Sequence, residues 1–349
     1  MRVLMVGPAQ EEKGGISTVV SGYYNAGLDK IIDLKYISSY KSGNKIYKLF
    51  VGLRALIDFI TCLHRYDIVH IHMASRASFY RKLLFIIIAK KGDKKVIIHL
   101  HSGLFKKFYY EECNNRQRKI INDTFDLADL IITLSDENHD FIKETSSTET
   151  VLLENSVLLP NFIRNDFSNH NVLFMGRFSQ EKGFGELIDA FGIVSSEIKD
   201  AKLFLCGCEV SDYYKDIIEQ IKTENNVKIM GWVTGIEKDN ILKKCSVFVL
   251  PSHFEGMPMS ILEAMSYGEI VVATNVGAIP SVIENGKNGM LVSVDNVEEL
   301  SDAIKTALLH DNRKQISENA RKTVSNRYNI ANGVERLVDI YQSIINKRI

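Results

Sequence analysis

Short, strongly apolar runs alternate along this chain with longer stretches in which apolar positions return every third or fourth residue. The first run spans residues 2–6. A glycine-bearing loop over 7–15 follows, and Ser17 is placed to N-cap a helix reaching about residue 28. Further β-rich runs fall at 67–71, 96–100 and 130–134, and helical patterns at 48–63, 79–89 and 113–125 lie between them. Strands that alternate with helices in this way predict βαβ units and a parallel sheet buried on both faces.

The pattern restarts in the second half. Strands are predicted at 172–175, 202–206, 227–230, 247–250, 270–273 and 290–292, and helices at 184–195, 212–223, 236–243, 259–267, 297–309 and 313–328. The stretch 158–170, with Pro160 and several asparagines, reads as a linker. The expected organisation is α/β: two Rossmann-like, doubly wound parallel-sheet domains, 1–160 and 170–325, facing a deep interdomain cleft. An amphipathic stretch over 328–349 closes the chain. Ligands of such sheets bind outside the carboxyl ends of the strands, so chemistry is sought just after each strand.

Length and composition fit this picture. The 349 residues suffice for two domains with cores of their own, and 45% hydrophobic residues with five prolines exclude a disordered or collagen-like chain. Cys62, Cys113, Cys206, Cys208 and Cys245 form no Cys-x-x-Cys pair, so neither a disulfide framework nor a zinc knuckle is indicated. A reducing compartment is expected. Cys206 and Cys208 read as a metal clamp or as small residues at a strand end. The N-terminus lacks the features of a secretory signal, and the longest uncharged apolar run, 83–89, is too short to span a bilayer. The expected location is cytoplasmic, with peripheral binding to the inner face of the plasma membrane as an option.

The net charge is zero but unevenly spread. Residues 1–110 carry 18 Lys and Arg against 7 Asp and Glu, a balance of +11, and the remainder carries 25 against 36, a balance of −11. A basic first third suggests an anionic partner for that face, a membrane or a phosphate. Lys41, Lys45, Lys48, Arg54, Arg76, Arg81, Lys82, Lys90, Lys91, Lys94, Lys95, Lys106 and Lys107 are interleaved with apolar residues. They read as a membrane-facing surface or as solvated helix faces. No nucleic-acid-binding motif accompanies them, so nucleic acid is not an expected partner.

Two segments of the second half carry candidate chemistry. Gly176-Arg177-Phe178-Ser179-Gln180-Glu181-Lys182-Gly183 follows a strand and opens a helix. Arg177 and Lys182 flank a turn whose helix N-terminus already attracts anions, which suits a diphosphate; a solvated charge pair is the alternative. Residues 251–263, PSHFEGMPMSILE, follow the run at 247–250. Gly256 permits close approach of backbone to a ligand, and Pro258 suits a first helical turn. Glu263 sits among Ile261, Leu262, Ala264 and Met265, where a carboxylate needs donors. Sugar or ribose hydroxyls would supply them, and so would a core cation.

The spacing Glu255-x7-Glu263, with Gly-Arg and Lys-Gly upstream, does not stand alone. Lys13-Gly14-Gly15-Ile16 follows the first strand, Ser266-Tyr267-Gly268-Glu269-Ile270-Val271-Val272-Ala273-Thr274 forms a later strand, and Gly286-Lys287-Asn288-Gly289 forms a turn. The ordered set resembles retaining glycosyltransferases of the GT-B fold, family 4, of the bacterial polysaccharide-biosynthesis type. The resemblance covers nearly the whole chain and is strongest over 171–292. It implies that the stretch 328–349 packs back on the first domain. It implies a nucleotide-diphosphate sugar donor, a UDP-sugar favoured over a GDP-sugar. The acceptor it implies is a glycan hydroxyl, lipid-linked, in capsule, exopolysaccharide or O-antigen synthesis. Gly15, Arg177 and Lys182 would hold the donor diphosphate, and Glu263 the ribose hydroxyls. Glu255, Gly256, Met257, Pro258 and Met259 would hold the sugar, and the nucleobase would lie near Gly207 and Val233. Trp232 reads as a stacking partner for the base or as a packing residue. Ser281 and Cys208 depart from the family pattern, which often has an acid and a glycine there.

His70 and His72 alternate on one strand end, and His99 and His101 do the same on the next, each pair on one face. His101-Ser102-Gly103 resembles the family's strand-end histidine, which implies a contact of His101 with the transferred sugar and, with Glu255, a catalytic role. His70 and His99 read as satisfied strand-end histidines. No Asp-x-Asp occurs, so no metal and no other cofactor is expected. Cations and a helix N-terminus can stabilise the leaving diphosphate instead. Neither a G-x-G-x-x-G nor a Walker A motif is present. Competing readings are an epimerase or a sugar phosphorylase on the same fold, or a non-catalytic nucleotide-sugar-binding protein.

Overall fold

The computed structural model describes residues 1–209 and 213–346. The chain divides into two compact units: one holds residues 1–156 together with the segment that begins at Ile330, and the other holds 157–329. The predicted helix start at residue 212 and the end of the predicted closing stretch at 347–349 lie outside the described residues.

The first unit runs β1 (Arg2–Pro8), α1 (Gly15–Asn25), α2 (Leu28–Ile31), β2 (Asp33–Tyr40), α3 (Lys45–Cys62), β3 (Ile68–Met73), α4 (Ala77–Lys91), β4 (Lys95–Leu100), α5 (Phe105–Lys107), α6 (Asn115–Asp126), β5 (Leu130–Thr133), α7 (Asp136–Thr145) and β6 (Thr150–Leu152). Its six strands are parallel, in the order β2-β1-β3-β4-β5-β6. The central strands are buried along nearly their whole length, as a parallel sheet covered on both faces requires. Phe59, Phe79, Phe105 and Phe125 are fully buried between sheet and helices, each contributing about 1.5–3 kcal/mol by leaving water.

Five elements of this unit are missing from the sequence reading: the short helices α2 and α5, strands β2 and β6, and helix α7. Strands β2 and β6 are the two sheet edges. β2 buries only Ile37 and Ser39, and β6 has three half-buried residues, so neither shows the dense apolar run of a central strand. Helix α7 is mostly polar and buries Asn138, Phe141 and Ile142. Its start is fixed by Ser135, whose hydroxyl accepts from the Asn138 N–H. Ser17 is not the cap expected of it. Helix α1 begins earlier, after Gly14, and the Ser17 hydroxyl donates to the Ala9 carbonyl at 2.9 Å.

The basic positions do not form one solvated surface either. Lys82 is buried, and its Nζ donates to Ser39 Oγ at 2.6 Å. Burial, helped by the nearby Arg81 charge, lowers its pKa to about 7. Arg76, Lys90, Lys106 and Lys107 are ion-paired with Glu112, Asp129, Glu137 and Glu111.

The second unit runs β7 (Asn171–Phe178), α8 (Phe184–Glu197), β8 (Lys202–Glu209), α9 (Tyr213–Ile221), β9 (Val227–Gly231), α10 (Gly235–Lys244), β10 (Val247–Leu250), α11 (Met259–Ser266), β11 (Ile270–Thr274), α12 (Ile279–Val282), β12 (Met290–Val292), α13 (Val297–Leu309) and α14 (Arg313–Arg327). All six predicted strands are present, parallel, in the order β12-β11-β10-β7-β8-β9. All five cysteines are free. Cys206 lies inside β8, where burial raises its thiol pKa to about 12. Among the described residues, neither Cys206 nor Cys208 joins a group of metal-ligating donors.

The last helix, α15 (Ile330–Asn346), belongs to the first unit. Val334, Leu337, Tyr341 and Ile344 are buried, and Arg336 Nη2 donates to the Leu152 carbonyl at 3.0 Å.

Candidate functional site

In the second unit β7 and β10 are neighbours, with Val247 opposite Val172, and the strand order reverses between them. Loops that leave such a switch point diverge and open a crevice at the carboxyl ends of the strands. Here both loops carry the motif residues. They touch at Gly183, which has φ +63°; a Cβ there would lie 2.0 Å from the Pro251 carbonyl oxygen. The His253 N–H donates to the Glu181 carbonyl at 3.0 Å and completes the contact.

Across this contact the structure joins two predicted residues. Lys182 Nζ lies 2.5 Å from Glu255 Oε1, and Ser252 Oγ donates to the same oxygen at 2.7 Å. The Glu255 side chain is only 8% exposed, so the ammonium and the hydroxyl supply the partners that a carboxylate out of water needs. The loop is held from below, where Thr274 Oγ1 donates to the Ser252 carbonyl. It is held from the side by Gly277, with φ +55°, where a Cβ would lie 1.9 Å from the Glu255 carbonyl oxygen. The next residue, Ala278, donates its N–H to the Gly256 carbonyl at 3.0 Å.

Gly256 and Met257 lead into α11, with Pro258 at its N-cap and Met259 as its first residue. No side chain caps this helix and no acid lies in its first turn, so its leading N–H groups present an uncompensated positive end beside Glu255. Glu263 lies one turn further along. Its Oε1 is 2.6 Å from Lys238 Nζ of α10, and both side chains are partly exposed. The cation found here is thus at the margin of the core and not within it.

The other donor residues predicted in the second unit lie at or just after the ends of β7, β8 and β9. Arg177 is exposed near the end of β7, opposite Cys208 of β8, and among the described residues it makes no ion pair. Gly207 pairs with Gly176 across the same two strands, and Val233 is buried just after β9. A neighbouring group went unpredicted: His253 Nε2 lies 2.8 Å from Glu186 Oε1 and 3.3 Å from Asp295 Oδ1. The donor atoms of these three fall within 4.8 Å of one another.

In the first unit Gly15 opens α1 and is exposed; a Cβ on Gly14 or Gly15 would meet nothing within 4 Å. The four histidines come together on one face of β3 and β4, where the register sets His72 opposite His99. His72 Nδ1 is 2.8 Å from His101 Nε2, and His70 Nε2 is 3.2 Å from His99 Nδ1. Tyr341 of α15, a residue no local signal marks, places its hydroxyl 2.5 Å from His70 Nδ1. Burial lowers the pKa of His70 and His101 to about 3 and that of His72 and His99 well below the usual imidazole range. All four are therefore neutral at physiological pH, and His72 Nε2 and His99 Nε2 are buried without a hydrogen-bond partner. His70, His72 and His99 are also within 4.8 Å of one another through their ring nitrogens.

Residues 164–323 match the family model described as glycosyl transferases group 1. The chain is 26% identical to an uncharacterized 41.2 kDa protein in the cps region of Klebsiella pneumoniae, over 96% of this chain and 98% of that one. It is 25% identical to the UDP-Gal:alpha-D-GlcNAc-diphosphoundecaprenol alpha-1,3-galactosyltransferase of Escherichia coli, over 86% of this chain and 82% of the relative. Among solved structures, Anabaena Alr3699/HepE in complex with UDP superposes with a TM-score of 0.77 at 20% identity, covering 98% of this chain and 100% of that one. Sucrose-phosphate synthase from Thermosynechococcus elongatus gives 0.79 at 15% identity over 99% of each chain. The fold is the two-domain α/β glycosyltransferase fold, GT-B. Together the matches support a glycosyltransferase.

Proposed function

We propose that this chain is a retaining glycosyltransferase of family 4 that moves a sugar from a UDP-sugar to a hydroxyl of a lipid-linked glycan during cell-surface polysaccharide synthesis. The observation that carries the reading is the Lys182–Glu255 pair at the switch point between β7 and β10, beside the uncapped start of α11. A cation and a row of backbone N–H groups suit the diphosphate of a donor, and a carboxylate beside them suits sugar hydroxyls. The Escherichia coli relative, whose name states a UDP-galactose donor and a diphosphoundecaprenol-linked acceptor, and the relative from a cps region support the donor and acceptor classes.

In this reading Lys182 and Arg177 hold the diphosphate. Glu255 with the backbone of Gly256 to Met259 holds the sugar, and Glu263 the ribose. Gly207 and Val233 flank the base. The bond between the anomeric carbon and the diphosphate oxygen breaks, and the acceptor oxygen bonds on the same face. The departing phosphate oxygen takes the acceptor proton. Charge that develops on the leaving group is balanced by Lys182, Arg177 and the α11 amides, with no metal required.

The test is a thermal-shift screen with UDP-, GDP- and dTDP-sugars, followed by transfer assays to glycan acceptors with the product anomer read by NMR. Expected are stabilisation by a UDP-sugar, transfer that persists in EDTA, and retention of the anomeric configuration. Conversion of donor with no acceptor would identify an epimerase, and dependence on free phosphate a phosphorylase. Binding with no turnover would identify a sensor. Each of these outcomes would replace the reading, and an inverted anomer would remove its stereochemical part.

A further inference from the structure

Helix α3 (Lys45–Cys62) has two apolar faces. One, with Ala55, Phe59 and Cys62, is buried, and Phe59 meets Phe85 of α4 edge-on with ring centroids 5.1 Å apart. The other carries Ile46, Leu49, Phe50, Leu53, Ile57 and Ile60. Spacings of three and four residues align these six along one side of the helix. Each is more than half exposed. Among the described residues, no other helix presents more than two exposed large apolar side chains.

Apart from Asp58, the charges of α3 around this stripe are basic. At 3.6 residues per turn, Lys45 falls on one flank and Arg54 on the other, with Lys41 and Lys48 near the N-terminal end. The single acid of α3, Asp58, lies 3.9 Å from Arg54, and both side chains are more than half exposed, so their pairing is weak. An apolar stripe bordered by cations matches one surface in particular: acyl chains beneath anionic headgroups. A second copy of the chain fits less well, because a two-fold contact through the stripe would set like-charged flanks against each other. No helix among the described residues is long and apolar enough to cross a membrane, so α3 would lie in the interface plane.

We propose that α3 docks the first unit onto a bilayer containing anionic lipid. The stripe from Ile46 to Ile60 enters the headgroup–acyl boundary, and Lys45 and Arg54 reach to lipid phosphates. The inference stands on the surface of this unit and not on the sugar chemistry, and it is tested without donor or acceptor.

The experiment is flotation of the full chain with vesicles of phosphatidylcholine alone and of phosphatidylcholine with phosphatidylglycerol. Expected is co-flotation with the anionic vesicles, weakened by salt. The double variant Leu53→Asp, Ile57→Asp should reduce binding roughly tenfold or more, since two apolar side chains no longer leave water. Both positions are exposed, so melting temperature and circular dichroism should not change. A second variant, Lys45→Gln with Arg54→Gln, should bind more weakly to anionic vesicles and equally to neutral ones. Failure to float at low salt, or binding indifferent to both variants, overturns the proposal. So does a dimer in solution that the Leu53→Asp, Ile57→Asp variant dissociates, because the occupant would then be a second copy.

Discussion

Lys182 Nζ lies 2.5 Å from Glu255 Oε1, and this ion pair ties the loop after β7 to the loop after β10. Each residue belongs to a different motif, so their effects should be coupled. Glu255→Gln keeps the side-chain size but removes the charge. Sugar transfer should fall about 10²–10³-fold, as when one preorganised polar group is removed from a reacting centre. Lys182→Met should lower transfer similarly and destabilise by about 1–3 kcal/mol, because Glu255 is left with Ser252 alone. Initial rates and urea melts of both single variants and the double variant give the check. Full additivity of the two would show that the pair does not act as a unit.

Gly277 holds the backbone of the Glu255 loop in place. Gly277→Ala should cost the ~1–2 kcal/mol of a left-handed non-glycine residue, and more from its clash with the Glu255 carbonyl. Gly286 is the control: its φ is +75°, but a Cβ there meets nothing within 4 Å. Gly286→Ala should therefore cost only the conformational part. Equal urea midpoints for the two variants would contradict this account.

Glu269 is fully buried, and neither carboxyl oxygen has a hydrogen-bond partner. Burial holds its pKa well above the ordinary carboxylate range, against the weaker opposing pull of Arg164. The folded chain thus keeps a proton that the unfolded chain has lost, so Glu269 destabilises increasingly as pH rises above about 4.5. Glu269→Leu should raise the melting temperature at pH 8 by more than at pH 4.5. A gain that is the same at both values would show that ionisation plays no part.

The histidine cluster predicts the opposite trend in acid. Its folded-state pKa values lie below the unfolded value, so stability is fully present above about pH 6.5 and is lost as pH falls towards 3. Each imidazole that must be protonated on unfolding adds a slope of up to about 1.4 kcal/mol per pH unit. His99→Leu, at a residue whose Nε2 has no partner, should make that slope shallower by about one proton. Urea midpoints at pH 7.5, 6 and 5 measure it.

Central strands were legible because both faces of a parallel sheet are buried, and so most positions are apolar, the histidines of β3 and β4 being the main exceptions. Strands β2 and β6 were not, because an edge strand of this unit buries little. Among the candidate site residues, Lys182, Glu255 and Glu263 could be nominated from the sequence because each belongs to a short motif that follows a strand. Their partners could not. Lys238 lies 25 positions from Glu263, on a helix whose pattern marks no special residue, and His253 meets Glu186 across 67 positions. Such pairings are created by the fold, and no local spacing announces them.

Tyr341 reaches His70 across 271 positions, and all of the second unit lies between them in the chain. Synthesis from the N-terminus therefore delivers the first sheet early and its covering helix last. By the time the ribosome reaches residue 330, the later unit has every one of its strands, while the earlier one still waits for α15. A chain ending before residue 330 would carry every strand of both sheets and still lack the tyrosine that covers His70.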